Sequence, residues 1–75
     1  MNEILKTVIE ENKGLLFENT SMILDVICEN LFYKHNIDAV WQGRSIYVNH
    51  KRVASISVSK EGKNIVGIYD YKLLA

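Results

Sequence analysis

The sequence predicts an α+β domain in two layers: two N-terminal helices packed on one face of a four-stranded antiparallel meander, in the order ααββββ. Up to Asn36, apolar residues recur at helical spacing, and after Asn36 they alternate with polar residues as in half-buried strands. Short turn signals separate the alternating segments at hairpin spacing. With 75 residues, 48% of them hydrophobic and 24% charged, the chain is expected to fold as a single domain, 1–75.

The first helix is predicted to start at Asn2 and to stop at Gly14. Its apolar residues recur at helical spacing: Ile4, Leu5, Val8 and Ile9. The apolar residues 15–17 that follow are too few to define an element, so the pattern leaves them as either loop or helix.

The second helix is predicted over about residues 20–35. Any of the polar residues 19–21 can cap its start, and Asn36 suits a left-handed residue at its end. Its predicted inner stripe is Ile23, Leu24, Ile27, Cys28, Leu31 and His35, and its predicted outer side carries Asp25, Glu29 and Tyr33.

The turn residues of the first and last hairpins predict a strand register. A two-residue turn at Gln42 and Gly43 gives the pairs Trp41–Arg44, Ala39–Ile46 and Ile37–Val48. In the last hairpin, a three-residue loop, 60–62, puts Gly62 in the left-handed position of a bulged turn. The pairs that follow are Val58–Asn64, Ile56–Val66, Ala54–Ile68 and Arg52–Asp70.

The middle hairpin decides which residues share a face. A two-residue turn at Asn49 and His50 would set Ile46 opposite Val53 and divide the apolar residues between two faces, whereas a three-residue loop, 49–51, keeps them together. The predicted inner face is then Ile37, Ala39, Trp41, Ile46, Val48, Ala54, Ile56, Val58, Val66 and Ile68. The predicted outer face is Asp38, Val40, Ser45, Tyr47, Asn49, Val53, Ser55, Ser57, Ser59, Ile65, Gly67, Tyr69 and Tyr71.

This predicted outer face carries few charges, and Tyr47, Val53 and Tyr69 are expected to be close neighbours on it. Tyrosines are enriched where proteins dock on one another, although cross-strand packing of β-favouring residues is the simpler interpretation. We therefore expect a small, non-enzymatic protein-binding module whose partner is another protein or a second copy in a homodimer. The expected contact residues are Val40, Tyr47, Val53, Ile65, Tyr69 and Tyr71.

Nucleic-acid binding is the alternative function. Cations for phosphate and aromatic rings for base stacking occur together in the second half of the chain, where the candidate residues are Arg44, His50, Lys51 and Lys72. Residues 1–36 have a net charge of −3 and residues 37–75 a net charge of +3. The nine basic and nine acidic residues of the whole chain cancel, however, which argues against a strong nucleic-acid binder.

An enzyme is the third interpretation. His50 could act as a general base beside Lys51 and Tyr69 in a small metal-free nuclease, because imidazole titrates near neutrality. His35, on the inner stripe of the second helix, is not placed to act with it, and no cofactor or metal motif is present, so we expect no catalysis and no cofactor.

Compartment and origin are indicated only by composition. A single cysteine, Cys28, excludes an internal disulfide, and no apolar run reaches the roughly 20 residues of a membrane span. The N-terminus lacks the features of a secretory signal, so we expect a cytoplasmic protein with no membrane contact. The composition, rich in Asn, Lys, Ile and Glu and without proline, resembles that of small proteins from AT-rich bacterial or phage genomes, which favours an accessory or inhibitory protein of a phage or mobile element.

Overall fold

The computed structural model describes residues 2–68 and has the predicted α+β architecture. Two helices precede a four-stranded antiparallel sheet with strand order β1-β2-β3-β4. The elements are α1 (Asn2–Glu11), a short 3-10 helix (Lys13–Leu15), α2 (Thr20–His35), β1 (Ala39–Gln42), β2 (Ser45–Val48), β3 (Lys51–Val58) and β4 (Asn64–Ile68).

Helix α1 ends at Glu11, before Gly14. The side-chain amide of Asn12 donates a 2.8 Å hydrogen bond to the carbonyl of Val8 and so satisfies one of the carbonyls left open at the helix end. Gly14 lies inside the 3-10 turn that follows, so the prediction that Gly14 stops α1 was wrong. Of the apolar residues that the pattern left open, Leu15 is in this turn and Leu16 follows it.

Helix α2 confirms the predicted bounds. The side chain of Asn19 accepts a 2.8 Å hydrogen bond from the backbone N–H of Met22, as an N-cap residue does. Asn36 adopts the left-handed conformation, with φ 55° and ψ 38°, and its N–H donates to the carbonyl of Phe32. Both ends are therefore specified by local side-chain and backbone geometry.

The first hairpin turns at Gly43 and Arg44, one residue later than predicted. Gly43 has φ 63°, a conformation that favours glycine, and it is the first of the two turn residues. The observed pairs are Ala39–Val48, Val40–Tyr47, Trp41–Ile46 and Gln42–Ser45. The register therefore differs by two residues from the prediction, which leaves the assignment of faces unchanged because side chains alternate with a period of two.

The second hairpin contains the main correction. Asn49 and His50 form a two-residue turn in which both residues have positive φ, so the predicted three-residue loop was wrong. The apolar residues still share a face because Val53 is an extra residue in β3. The pairs on either side of it are Ile46–Ala54 and Tyr47–Arg52.

The third hairpin confirms the predicted register. Gly62 has φ 80°, and the pairs Val58–Asn64, Ile56–Val66 and Ala54–Ile68 are all observed. The prediction that Arg52 faces Asp70 concerns a partner outside the described residues.

The core lies between the helices and the inner face of the sheet. Helix α2 contacts β1 and β2, while α1 contacts α2 and β4. The indole Nε1 of Trp41 donates a 2.7 Å hydrogen bond to Asp25, which ties β1 to α2 at the edge of this interface. The buried cluster comprises Leu5, Val8, Ile23, Leu24, Ile27, Cys28, Leu31, Ile46, Val48, Val53, Ala54 and Ile56.

Buried Asn64 joins β4 to the connection between the helices. Its side-chain amide donates to the carbonyls of Leu16 and Glu18, at 2.9 and 2.8 Å, and its Oδ1 accepts from Thr20 at 3.2 Å. Its backbone N–H also donates to Leu16, at 2.7 Å. Asn64 is 3% exposed, and its hydrogen bonds hold the helical layer against one edge of the sheet.

Candidate interaction surface

The outer face of the sheet points away from both helices. We define it by the residues that alternate with the buried ones, corrected for the extra residue in β3. It comprises Val40, Gln42, Ser45, Tyr47, Arg52, Ser55, Ser57, Ile65 and Gly67. Within residues 2–68, neither helix packs against this face.

A row of three paired residues crosses the outer face near the second hairpin. Val40 pairs with Tyr47 across β1 and β2, and Tyr47 pairs with Arg52 across β2 and β3. Val40 is 61% exposed, whereas Tyr47 is partly buried among its neighbours. This row therefore presents an aliphatic group, a phenol ring and a cation next to one another.

Small polar residues fill the middle of the outer face. Ser45 pairs with Ser55, which pairs with Gly67, so this row carries no bulky side chain. Beyond it, Ser57 pairs with Ile65, which is 51% exposed. The two exposed aliphatic groups, Val40 and Ile65, thus lie on opposite edge strands, and a strip of short serine side chains lies between them.

An open groove of about 660 Å³ runs along the β1–β2 side of the outer face. Its lining is mixed polar and apolar and consists of Asp38, Val40, Trp41, Gln42, Tyr47, Asn49 and His50. The groove brings His50 beside Tyr47, but among residues 2–68 the imidazole makes no hydrogen bond or ion pair. Within the described part of the groove, no side chain is held by an orienting partner as a general base would be.

The structure supports the positions of three of the six predicted contact residues. Val40, Tyr47 and Ile65 lie on the outer face, and Tyr69 and Tyr71 lie outside the described residues. Val53 was placed wrongly: it is 0% exposed and belongs to the core. The predicted three-residue loop would have put Val53 beside Tyr47, but the observed two-residue turn puts Arg52 there and leaves Val53 as an unpaired, inward-facing residue.

Arg52 takes the place beside Tyr47 that the sequence analysis assigned to Val53. A usable signal was present: Asn49 belongs to the few residue types that tolerate positive φ and can begin a two-residue hairpin turn. That turn and a single apolar face can both hold only if one residue of the next strand is unpaired.

The residues proposed for nucleic-acid binding do not form one cluster. Arg44 lies in the turn before β2, and Lys51 lies across the turn after β2, so the length of β2 separates them. Lys51 pairs with the buried Val48 and so is directed to the helix side of the sheet. Lys72 lies outside the described residues.

The lone cysteine is a core residue. Burial, with a smaller effect from the negative charge of Asp25, raises the pKa of Cys28 to about 11, so its thiol is protonated and unreactive at neutral pH. Among residues 2–68, no group of three His, Cys, Asp or Glu side chains is arranged to hold a metal ion.

The fold and this surface define a small two-layer α+β domain with an uncovered sheet face. In comparisons with known proteins, no family model, no curated protein and no solved structure matches the chain. Neither helix of the described residues is long and apolar enough to cross a membrane.

Proposed function

We propose that this protein is a non-enzymatic binding module that docks another protein on the outer face of its sheet. The observation that carries the proposal is the pair of exposed aliphatic residues, Val40 and Ile65, on a face that neither helix covers. Aliphatic and tyrosine side chains around a strip of small residues give a surface that can desolvate at low cost.

The composition of the strands supports this proposal over that of an ordinary solvated sheet. β1 to β4, as described, contain no Asp or Glu, and their charged residues are Lys51 and Arg52. A sheet face that only meets water usually alternates apolar with charged residues of both signs. Depletion of charge is instead typical of the central part of protein interfaces.

The test compares two tyrosines of one chain. Tyr47 is on the outer face, and Tyr33, on α2, is 79% exposed on the other side of the molecule. The full chain is immobilised, lysate from the cells that produce it is treated with nuclease, and the captured proteins are identified. A recombinant form of the captured protein is then used for affinity measurements.

We expect Tyr47→Ala to weaken binding by roughly thirtyfold, the effect of losing about 2 kcal/mol at an anchor residue. Tyr33→Ala should bind as the wild type does. Thermal melting of both variants checks that they are folded. Equal binding by wild type and Tyr47→Ala would exclude the outer face as the contact surface, and a dimer seen by sedimentation would identify a second copy as the partner.

A further inference from the structure

The strand β1 forms one edge of the sheet. Among the described strands, β1 has a hydrogen-bonded neighbour, β2, on one side only. A two-residue turn is closed by a hydrogen-bonded pair, here Gln42–Ser45, and such pairs alternate along a ladder, so Val40 and Gln42 bond to β2. The backbone N–H and C=O groups of Ala39 and Trp41 therefore point outward in the plane of the sheet, and no other part of the described chain bonds to them.

The edge of β1 lacks the features that usually keep edge strands from pairing. Its four residues include no proline and no charged side chain, and its ladder with β2 is regular. The groove of about 660 Å³ reaches this edge, because Val40 and Gln42 of the outer face and Trp41 of the inner face all line it. An extended chain thus has room to lie beside β1.

The opposite edge of the sheet is already bonded in part. The N–H of Asn64, at the start of β4, donates a 2.7 Å hydrogen bond to the carbonyl of Leu16, and α1 contacts β4. Of the two edges that the structure describes, β1 is therefore the one that can add a strand along its whole length.

We infer that β1 pairs with the β1 strand of a second copy, so that two four-stranded sheets join into one. The contact lies along the edge of the sheet, so it is distinct from docking on the outer face and leaves that face open. A twofold axis perpendicular to the sheet makes the new pairing antiparallel and keeps both outer faces on one side. When Ala39 of each copy pairs with Trp41 of the other, all the outward N–H and C=O groups of both strands are bonded.

The side chains suit this register. It sets Val40 opposite the second copy's Val40, and the single chain leaves Val40 61% exposed. Asp38 precedes β1 and continues its alternation, so it comes opposite the second copy's Gln42. The carboxylate of Asp38 can accept from the amide of that Gln42, twice by symmetry. Neither side chain has a hydrogen bond or ion pair within residues 2–68.

These pairs favour a second copy over an unrelated strand. Any extended chain gains the backbone hydrogen bonds of an edge, whereas the pairs Val40–Val40 and Asp38–Gln42 arise when β1 meets itself. Arg44, exposed in the turn after Gln42, adds a positive charge to the end of β1 that approaches Asp38 of the second copy. So short a strand gives a small interface, and we expect a dimer with a dissociation constant in the micromolar range or weaker.

The experiment measures self-association of the full chain by sedimentation equilibrium, from micromolar to millimolar concentration. NMR follows hydrogen exchange of the Ala39 and Trp41 amides over the same range. Ala39→Pro removes an outward N–H and leaves the ladder with β2 intact, because proline is tolerated at such edge positions. Gln42→Glu and Gln42→Lys alter the charge opposite Asp38 at one exposed position. Ile65→Ser, on the far edge strand, is the control, and thermal melting shows that each variant is folded.

We expect a dimer whose formation slows amide exchange at Ala39 and Trp41. Ala39→Pro should raise the dissociation constant about tenfold or more, because one backbone bond is lost from each copy. Gln42→Glu should raise it about fivefold by placing two carboxylates together, and Gln42→Lys should lower it by a similar factor. Ile65→Ser should leave it unchanged. The two Gln42 variants remain the test if Ala39→Pro unfolds.

Three outcomes would overturn the inference. A chain that stays monomeric up to millimolar concentration would exclude the edge contact and leave the proposed function standing. A dimer that is lost in Ile65→Ser or Tyr47→Ala but retained in Ala39→Pro would be formed by the outer face. Equal dissociation constants for Gln42→Glu and Gln42→Lys would refute the pairing of Gln42 with Asp38, and with it the antiparallel β1–β1 register.

Discussion

The register of β2 and β3 sets Arg52 directly opposite Tyr47 on the outer face of the sheet. This pair follows from the two-residue turn at Asn49 and His50, which sets Val48 opposite Lys51 and Tyr47 opposite Arg52. The next residue, Val53, is the unpaired extra residue of β3, and its side chain is fully buried. Without this bulge, the alternation beyond Val53 would be reversed, and Ala54 and Ile56 would lie on the outer face in place of Ser55 and Ser57. The turn and the bulge together therefore determine the composition of the candidate surface.

Because Val53 is buried at the bulge and Val40 is exposed, replacing each valine with alanine should lower the free energy of unfolding by different amounts. Val53→Ala removes two methyl-sized groups from the core and should cost about 2 kcal/mol of unfolding free energy. Val40→Ala acts on a residue that is 61% exposed and should change stability by less than about 0.5 kcal/mol. Urea unfolding measures both, and equal costs would contradict the inward position of Val53.

Asn64 predicts a strong effect from a small chemical change. Asn64→Asp replaces the amide that donates to Leu16 and Glu18 with a carboxylate facing the same carbonyls. We expect Asn64→Asp to lower the free energy of unfolding by about 3 kcal/mol or more, because the buried carboxylate would face two carbonyl oxygens that cannot donate a hydrogen bond to it. Thr20→Val, which removes only the 3.2 Å bond to Oδ1, should cost about 1 kcal/mol. Chemical denaturation compares them, and similar costs would mean that the donors of Asn64 contribute little.

The turn of the second hairpin predicts a stabilising substitution. His50 has φ 64°, a conformation that is unfavourable for a residue with a Cβ atom, and it follows Asn49 with φ 53°. His50→Gly creates the preferred residue pair for this turn and should raise stability by about 0.5–1 kcal/mol. His50→Ala retains the penalty and should give no gain. Thermal melting that shows His50→Gly to be less stable than the wild type would contradict this turn geometry.

Cys28 predicts a pH dependence on the alkaline side. Its pKa is raised from 9.0 to about 11, so the folded state retains the thiol proton at pH values where the unfolded chain has lost it. Stability from this group is complete below pH 9 and falls as the pH rises toward about 11, by roughly 2–3 kcal/mol in total.

Cys28→Ala provides the control for this titration. Other groups also titrate at alkaline pH, so the relevant quantity is the difference in unfolding free energy between wild type and Cys28→Ala. The unfolding free energy of the wild type relative to that of Cys28→Ala should fall between pH 8 and pH 10.5. A difference that stays constant over this range would refute the burial of the thiol.

Local signals were enough for several elements. Asn19 and Asn36 bound α2 through contacts within a few residues of each helix end, and Gly62 defines the last hairpin because its φ of 80° suits glycine. Val40, Tyr47 and Ile65 were placed on the outer face correctly, since a register error of two residues does not exchange the faces of a sheet. The sign of charge on each layer also follows from the order of residues alone.

The bulge in β3 and the role of Asn64 were decided by tertiary structure. The turn at Asn49 and His50 indicates that β3 has one unpaired residue, but no local signal marks Val53 as that residue. A β-bulge disrupts the ladder locally, and burial of the Val53 side chain in the core offsets that cost. Asn64 looks in the sequence like an ordinary polar residue at the start of a strand, yet its hydrogen-bond partners Leu16 and Glu18 lie more than 40 residues earlier in the chain. Sequence periodicity reflects only the local alternation of apolar and polar residues. The environments of Val53 and Asn64, by contrast, depend on contacts with distant parts of the chain, which form only when the two layers pack together.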